Sequence, residues 1–192
     1  MTIIPKVPIL QPETLISSAQ LQSRVAELAT EIGRDYAGAD LLLVCILRGA
    51  VIFLADLMRC LTIPHAVEFM AVSSYGIGAR ESSGPVRITL DLANSIAGRD
   101  VLLVEDIIDS GRTLASVLGL LRARNPRTLE VCVLLDKTQR RETDIPLRYR
   151  GFSIPDRFVF GYGLDIDEYF RNLPYIAVSR KTSEDPTGHG IG

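Results

Sequence analysis

The chain has little of what several functional classes require. Its 192 residues carry a formal charge of −2, and no basic run is longer than a pair such as Arg140-Arg141. A dedicated nucleic-acid surface needs a basic patch or stripe, so no nucleic-acid partner is expected. Long apolar runs are missing as well. The longest, near Val44, is interrupted by Arg48 and does not have the length of a membrane span. The start, Met1-Thr2-Ile3-Ile4-Pro5-Lys6, has no apolar core of signal-peptide length, so the expected location is the cytoplasm. Cysteine is scarce: Cys45, Cys60 and Cys132 are an odd number without metal-like spacing, and each lies in an apolar stretch. They read as buried, reduced thiols with structural roles. No internal repeat or linker divides the chain, and its length suits one sizeable core, a single domain over residues 1–192.

What is present is an alternation of apolar runs with helical patterns. Residues 1–12 hold three prolines and no periodicity, an extended arm. Ser17 and Gln20 have capping-box spacing, and Leu21, Val25, Leu28, Ala29 and Ile32 then share a helical face. Leu41 to Ile46 reads as a buried strand, followed by Leu47-Arg48-Gly49-Ala50 and a helix over Val51 to Leu61. Ala66 to Ser74 and Val86 to Leu90 read as strands of a long hairpin, whose tip runs from Tyr75 to Pro85. Leu114 to Arg124 is amphipathic, and Leu129 to Leu135 is another buried strand, running into Asp136-Lys137. Phe158 to Tyr162 and Tyr175 to Ser179 are later strands, and Ser183 to Gly192 is a small, polar tail expected to be disordered. Such an order implies an α/β fold, a mostly parallel twisted sheet flanked by helices on both faces. Ligands of such sheets bind beyond the carboxyl ends of the strands. The ends at Leu47-Arg48-Gly49, Glu105-Asp106 and Asp136-Lys137 should therefore converge.

The most informative stretch is Val101 to Thr113, Val-Leu-Leu-Val-Glu-Asp-Ile-Ile-Asp-Ser-Gly-Arg-Thr. Four apolar residues read as a strand buried on both faces, ending in the acids Glu105 and Asp106. Asp109 follows, then Ser110-Gly111-Arg112-Thr113 and a helical pattern from Leu114. A glycine and hydroxyls at a helix start put unpaired N–H groups where an anion can sit. Read blandly, this is a buried strand and a capped helix with solvated acids. The full string is more specific than its parts, and it resembles the ribose-5-phosphate-binding motif of the type I phosphoribosyltransferases, in the form of their hypoxanthine-guanine branch.

That resemblance runs from about Leu15 to Val178 with the motifs in family order. Leu47-Arg48-Gly49-Ala50 resembles the pyrophosphate loop, and Ser73-Ser74-Tyr75-Gly76 the start of a mobile lid spanning about residues 73–85. Leu134-Leu135-Asp136-Lys137 supplies the lysine that meets the purine 6-oxo group. Phe158 to Asp165 resembles the purine hood, which the N-terminal arm and residues 138–178 would build, and Tyr169 to Pro174 the last active-site segment. Departures are Arg48 for a frequent lysine, Ala50 for serine, Arg112 at a variable position, and Leu90 where relatives carry lysine.

The resemblance implies transfer of a 5-phosphoribosyl group from its 1-pyrophosphate to hypoxanthine or guanine, a purine-salvage reaction. The 5-phosphate would sit in Asp109 to Thr113, on backbone N–H groups and the Ser110 and Thr113 hydroxyls. Glu105 and Asp106 would take the ribose hydroxyls and a magnesium ion, with Asp165 on a second magnesium or, alternatively, an exposed turn acid. Asp109 would exchange the purine proton, helped by like charge from Glu105 and Asp106; its other reading is a helix N-cap. Lys137 would donate to the purine O6, although a lysine at a strand end also snorkels. Phe158 would stack on the base, or, read alone, fill the core on the same strand face as Phe160. Backbone groups of Val159 and Asp165 would read the base edge. Arg171 with Arg48 and Gly49 would bind pyrophosphate, and Ser74 and Tyr75 would close over it. A homodimer or homotetramer is implied. The rivals are a xanthine- or pyrimidine-preferring transferase and an RNA-binding regulator on the same fold.

Overall fold

A computed structural model describes residues 12–74 and 86–179. The expected arm up to residue 11, the lid tip 75–85 with Tyr75, and the tail from 180 onward lie outside the described residues. A first strand, β1 (Pro12–Ile16), leads into helix α1 (Ser18–Asp35). The capping box forms as its spacing implied: Gln20 N donates to Ser17 Oγ at 3.3 Å and Ser17 N to Gln20 Oε1 at 2.9 Å. The five apolar residues that share one face, Leu21 to Ile32, are all buried.

The main sheet contains β2 (Leu41–Leu47), β3 (His65–Ser74), β4 (Val86–Leu90), β5 (Asp100–Ile108), β6 (Thr128–Asp136) and β7 (Tyr149–Ser153). Its spatial order is β4-β3-β2-β5-β6-β7, parallel throughout except for β4, which returns antiparallel to β3. After β2 the chain passes through α2 (Val51–Cys60) to β3 on one side. From β5 it passes through α3 (Arg112–Arg122) to β6 on the other side. Parallel crossovers keep one hand, so opposite directions of travel put the two helices on opposite faces. The core accordingly has two halves. One holds Leu43, Cys45, Leu102 and Val104 under α1 and α2; the other holds Leu42, Val44, Val101 and Leu103 under α3. Between β2 and β5 the winding reverses, and a crevice opens at their carboxyl ends. A second sheet, β1-β9-β8, is made with β8 (Val159–Phe160) and β9 (Ile176–Ser179) and overhangs that end.

Several expectations need correction. β5 does not stop at Val104 but continues through both acids to Ile108, because β6 goes on pairing with it as far as Ile108↔Asp136. Residues 149–153, counted with the hood in sequence, pair with β6 as the edge of the main sheet. Cys60 is exposed at the end of α2, whereas Cys45 and Cys132 are buried. Phe158 precedes β8 and is 49% exposed, so it is not a core residue; Phe160 fills the core instead, 5.7 Å from the Phe170 ring. Leu90 is exposed, and nothing in the structure explains its presence there. No described helix is long and apolar enough to cross a membrane.

Candidate active site

The crevice between β2 and β5 is closed on one side by backbone. A Cβ on Gly49 would overlap the Asp106 carboxylate, and one on Gly163 would overlap the Gly49 carbonyl oxygen. Only glycine lets the Arg48-Gly49 turn lie directly against the acid. The Leu47–Arg48 peptide bond at this turn is cis. Ala50, the N-cap residue of α2, is fully buried.

Adjacent side chains leave a strand from opposite faces, so Glu105 and Asp106 lie on opposite faces of β5, just past its last pairing with β2 at Val104. Their environment is poor for charge. Burial pushes Glu105 well above the usual carboxylate range, the neighbouring Asp106 adds to it, and Glu105 Oε2 is buried with no hydrogen-bond partner. Burial likewise raises Asp106 to about 6 and Asp165 adds to the rise, against hydrogen bonds from backbone N–H groups and the nearby Arg171. The Ile107 N–H donates to Asp106 Oδ1 at 2.7 Å.

The next turn is an anion cradle in form. Gly111 is the N-cap of α3, with φ of 82°, a conformation that favours glycine. The first backbone bond of the helix runs from Ala115 N to Gly111 O at 2.9 Å. The N–H groups ahead of it have no partner within the helix. Arg112 N donates weakly to Ser110 Oγ at 3.4 Å, Thr113 lies in the first turn, and the Arg112 guanidinium pairs with Glu142. Gly111 holds the cap position without a side-chain cap, so Asp109 does not cap this helix.

Asp109 instead faces cations. Its carboxylate lies 3.5 Å from Lys137 Nζ and 3.0 Å from Arg140 Nε. A second acid, Asp156, shares both of these cations, and Asp109 Oδ1 makes no hydrogen bond although Arg140 Nε is beside it. Lys137 is buried, not snorkelling, and also contacts Asp156 at 3.4 Å. Its backbone N–H donates to Ile108 O at 3.0 Å, tying the end of β6 to the end of β5. Below it, the fully buried Asp136 carboxylate accepts from Arg141 Nε at 2.8 Å, Arg150 Nη1 at 3.1 Å and Thr138 Oγ1 at 3.1 Å. These bonds fix the short 3-10 turn Thr138–Arg140. Val159 is buried at the start of β8, beside the exposed Phe158 ring.

On the hood side, Arg171 Nη1 donates to Gly163 O at 2.8 Å and Nη2 pairs with Asp165 at 2.7 Å and Glu168 at 3.3 Å. Arg48 reaches the other Glu168 oxygen at 2.7 Å. Asp165 also accepts the Glu168 N–H at 2.8 Å, so it is a turn acid as well as an ion-pair partner. The strand ends thus gather Arg48, Gly49, Asp106, Asp165 and Arg171 around the turn after β2, and Asp109, Lys137, Arg140 and Asp156 at the end of β6, with Glu105 on the opposite face of β5 from Asp106. Ser74 ends β3, and nothing described places its side chain.

A phosphoribosyl transferase domain model matches residues 17–167. The chain belongs to the phosphoribosyltransferase family. The curated hypoxanthine phosphoribosyltransferase of Salmonella typhimurium is 48% identical over 166 residues, 85% of this chain and 93% of that protein. The hypoxanthine-guanine phosphoribosyltransferase of Mycobacterium avium is 52% identical over 168 residues, covering 84% and 82%. Among solved structures, a hypoxanthine phosphoribosyltransferase from Staphylococcus aureus superposes with a TM-score of 0.85 at 44% identity, covering 89% of this chain and 92% of that one. The sheet, its switch point and the overhanging small sheet are therefore those of the type I phosphoribosyltransferase fold. Sequence reasoning missed Asp156, Glu168 and the pairing role of Arg140. None lies on a periodic face; only the alternation of charge around Lys137 and Arg171, visible in three dimensions, picks them out.

Proposed function

We propose that this phosphoribosyltransferase joins a 6-oxopurine, hypoxanthine or guanine, to 5-phospho-α-D-ribosyl 1-pyrophosphate, forming the nucleoside monophosphate and pyrophosphate. The carrying observation is the acid pair at the switch point, in which Glu105 Oε2 is buried without a partner, on the strand that leads into a glycine-capped helix start. A buried carboxylate oxygen without a partner needs a donor or a cation, and the ribose hydroxyls supply donors. The 5-phosphate fits the N–H groups ahead of α3, and the Ser110 and Thr113 hydroxyls flank it.

The donor set also fits magnesium. No described cluster of three acidic, histidine or cysteine side chains could cage an ion by itself. Two carboxylates are enough for an ion that keeps waters and shares substrate oxygens. Glu105 and Asp106 would hold it, with Asp165 near a second position; when bound, it neutralises charge on the pyrophosphate. The chain's own residues then do the rest. Arg48, the Gly49 turn and Arg171 receive the negative charge that builds on the leaving group. Lys137 donates to O6, which disfavours the 6-amino group of adenine, and Phe158 offers an exposed ring for stacking while Val159 and Asp165 backbone groups read the edge. Asp109 accepts the proton leaving the ring nitrogen, and Lys137 and Arg140 beside it aim its carboxylate. A homodimer or homotetramer belongs to the same reading; Val51, Ile52 and Met58 leave apolar surface along α2.

The test is a base panel of hypoxanthine, guanine, xanthine, adenine and uracil with the activated sugar and magnesium, followed as nucleotide. Product from hypoxanthine or guanine supports the proposal. Product only from xanthine, adenine or uracil refutes it. A gel-shift series across salt concentrations addresses the RNA-binding rival, for which no shift is expected.

A further inference from the structure

The carboxylate of Glu168 is bound by both arginines that flank the crevice. One oxygen is 2.7 Å from Arg48 Nη2, and the other is 3.3 Å from Arg171 Nη2. These two cations come from distant parts of the chain, the turn after β2 and the segment after Asp165, and one anion bridges them. Two oxygens of one anion meeting two guanidinium groups is also how a diphosphate would be held. The backbone is committed to this arrangement. Asp167, Glu168 and Phe170 all have positive φ, at 50°, 74° and 70°, a region non-glycine residues seldom enter. The turn is locked by the Ile166–Tyr169 bridge and by the Glu168 N–H on Asp165. That strained turn points Glu168 back at the arginines.

We propose that Glu168 is an internal stand-in for pyrophosphate: it holds Arg48 and Arg171 while the subsite is empty and gives them up to the incoming diphosphate. The inference rests on the reading of those arginines as the pyrophosphate subsite. Exposure sets its strength. Glu168 is 59% and Arg48 68% exposed, so the contact is screened and weak enough to be displaced. Arg171 is 25% exposed and keeps its Asp165 and Gly163 partners throughout, so only its share of Glu168 is exchanged. The carboxylate therefore competes without blocking. It lowers affinity for the diphosphate of the substrate and, equally, for released pyrophosphate, which speeds departure of the product.

The test is calorimetric binding of inorganic pyrophosphate with magnesium to the full-length protein, comparing wild type, Glu168→Gln and Arg171→Gln. Glu168→Gln keeps the shape and removes the competing charge. It should bind pyrophosphate three- to tenfold more tightly and show stronger product inhibition at an unchanged thermal midpoint. Arg171→Gln should weaken binding at least tenfold. If Arg171→Gln weakens binding while Glu168→Gln leaves it equal or weaker, Glu168 orients the arginines and the stand-in role is wrong. If neither variant alters binding, the subsite reading fails and takes the inference with it.

Discussion

Replacing Asp136 by asparagine changes one atom in a side chain with no solvent exposure. The carboxylate neutralises Arg141, which is 17% exposed, and Arg150, which is 51% exposed. Removing one partner of a buried ion pair typically costs about 3–5 kcal/mol, because the other charge stays buried. Arg150 is half in water and can rehydrate, so only the Arg141 pair counts in full. Asparagine retains one acceptor oxygen but turns an N–H₂ donor toward guanidinium donors. A loss of about 2–4 kcal/mol follows. For a chain of this size each kcal/mol lowers Tm by roughly 2–4 °C, so scanning calorimetry should show a fall of about 5–15 °C. The sign with pH gives a second readout. Burial works against ionisation of Asp136, but hydrogen bonds from Arg141, Arg150 and Thr138 outweigh it and hold the group below the usual range. Its contribution is therefore present above the unfolded value of ~3.9 and lost as pH falls through the folded value, so the wild-type advantage should shrink in acid. Below the lowered Tm, the folded variant should lose KM for the base more than for the sugar, because Asp136 anchors the turn carrying Lys137 and Arg140. A Tm within ~2 °C of wild type would show that the carboxylate is not holding these groups.

Asp109→Asn should slow the single-turnover chemical step about 10²- to 10⁴-fold with little change in sugar-pyrophosphate affinity; a surviving rate with collapsed binding would refute proton exchange. Because Gly111 is the N-cap, this variant should also leave helix content close to wild type. Lys137→Met removes the O6 donor and should shrink the preference for hypoxanthine over adenine roughly 10- to 100-fold, read from kcat/KM for each base. An unchanged ratio would mean that another group selects the base. For the Glu105–Asp106 pair, the folded value of about 6 for Asp106 lies above its unfolded ~3.9, so the free protein should lose up to ~2–3 kcal/mol as pH rises through that window. Affinity for the magnesium-bound sugar should move the opposite way, falling below about pH 6 as the acids take up protons, and titration calorimetry in two buffers would record proton release on binding.

Much of the fold was legible because burial has a period. Leu41 to Leu47 and Val101 to Val104 are apolar throughout, as strands covered on both faces must be, and α1 announces itself by its capping box. β7 was not legible. Tyr149-Arg150-Gly151-Phe152-Ser153 is an edge strand with one flank open, and neither alternation nor an apolar run marks it. β1 was hidden for a related reason: it pairs only with β9, more than 150 residues away, and a proline begins it. At the site, the residues proposed to touch substrate carry local motifs, whereas their partners do not. Lys137 is visible as a charge at the end of an apolar run; Asp156 and Glu168 acquire meaning only when a distant cation arrives beside them.

The two groups of buried carboxylates differ in a way that separates support from function. Asp136 and Glu105 end or nearly end neighbouring strands; Asp136 is fully buried, and Glu105 is half-buried with its Oε2 shut off from water. Asp136 is surrounded by five-donor guanidinium groups and a hydroxyl, so its pKa falls and its charge strengthens the folded chain. Glu105 has an oxygen with no partner and a second acid beside it, so its pKa rises and its charge weakens the folded chain. The fold can supply donors to a buried acid at this edge, since it does so one strand away. Leaving Glu105 at the switch point short of a donor is what points to one that arrives with a ligand. On the reading proposed above, a molecule bearing adjacent hydroxyls, or a divalent cation carried on one, would complete the set, and its binding would recover energy that the free protein forgoes.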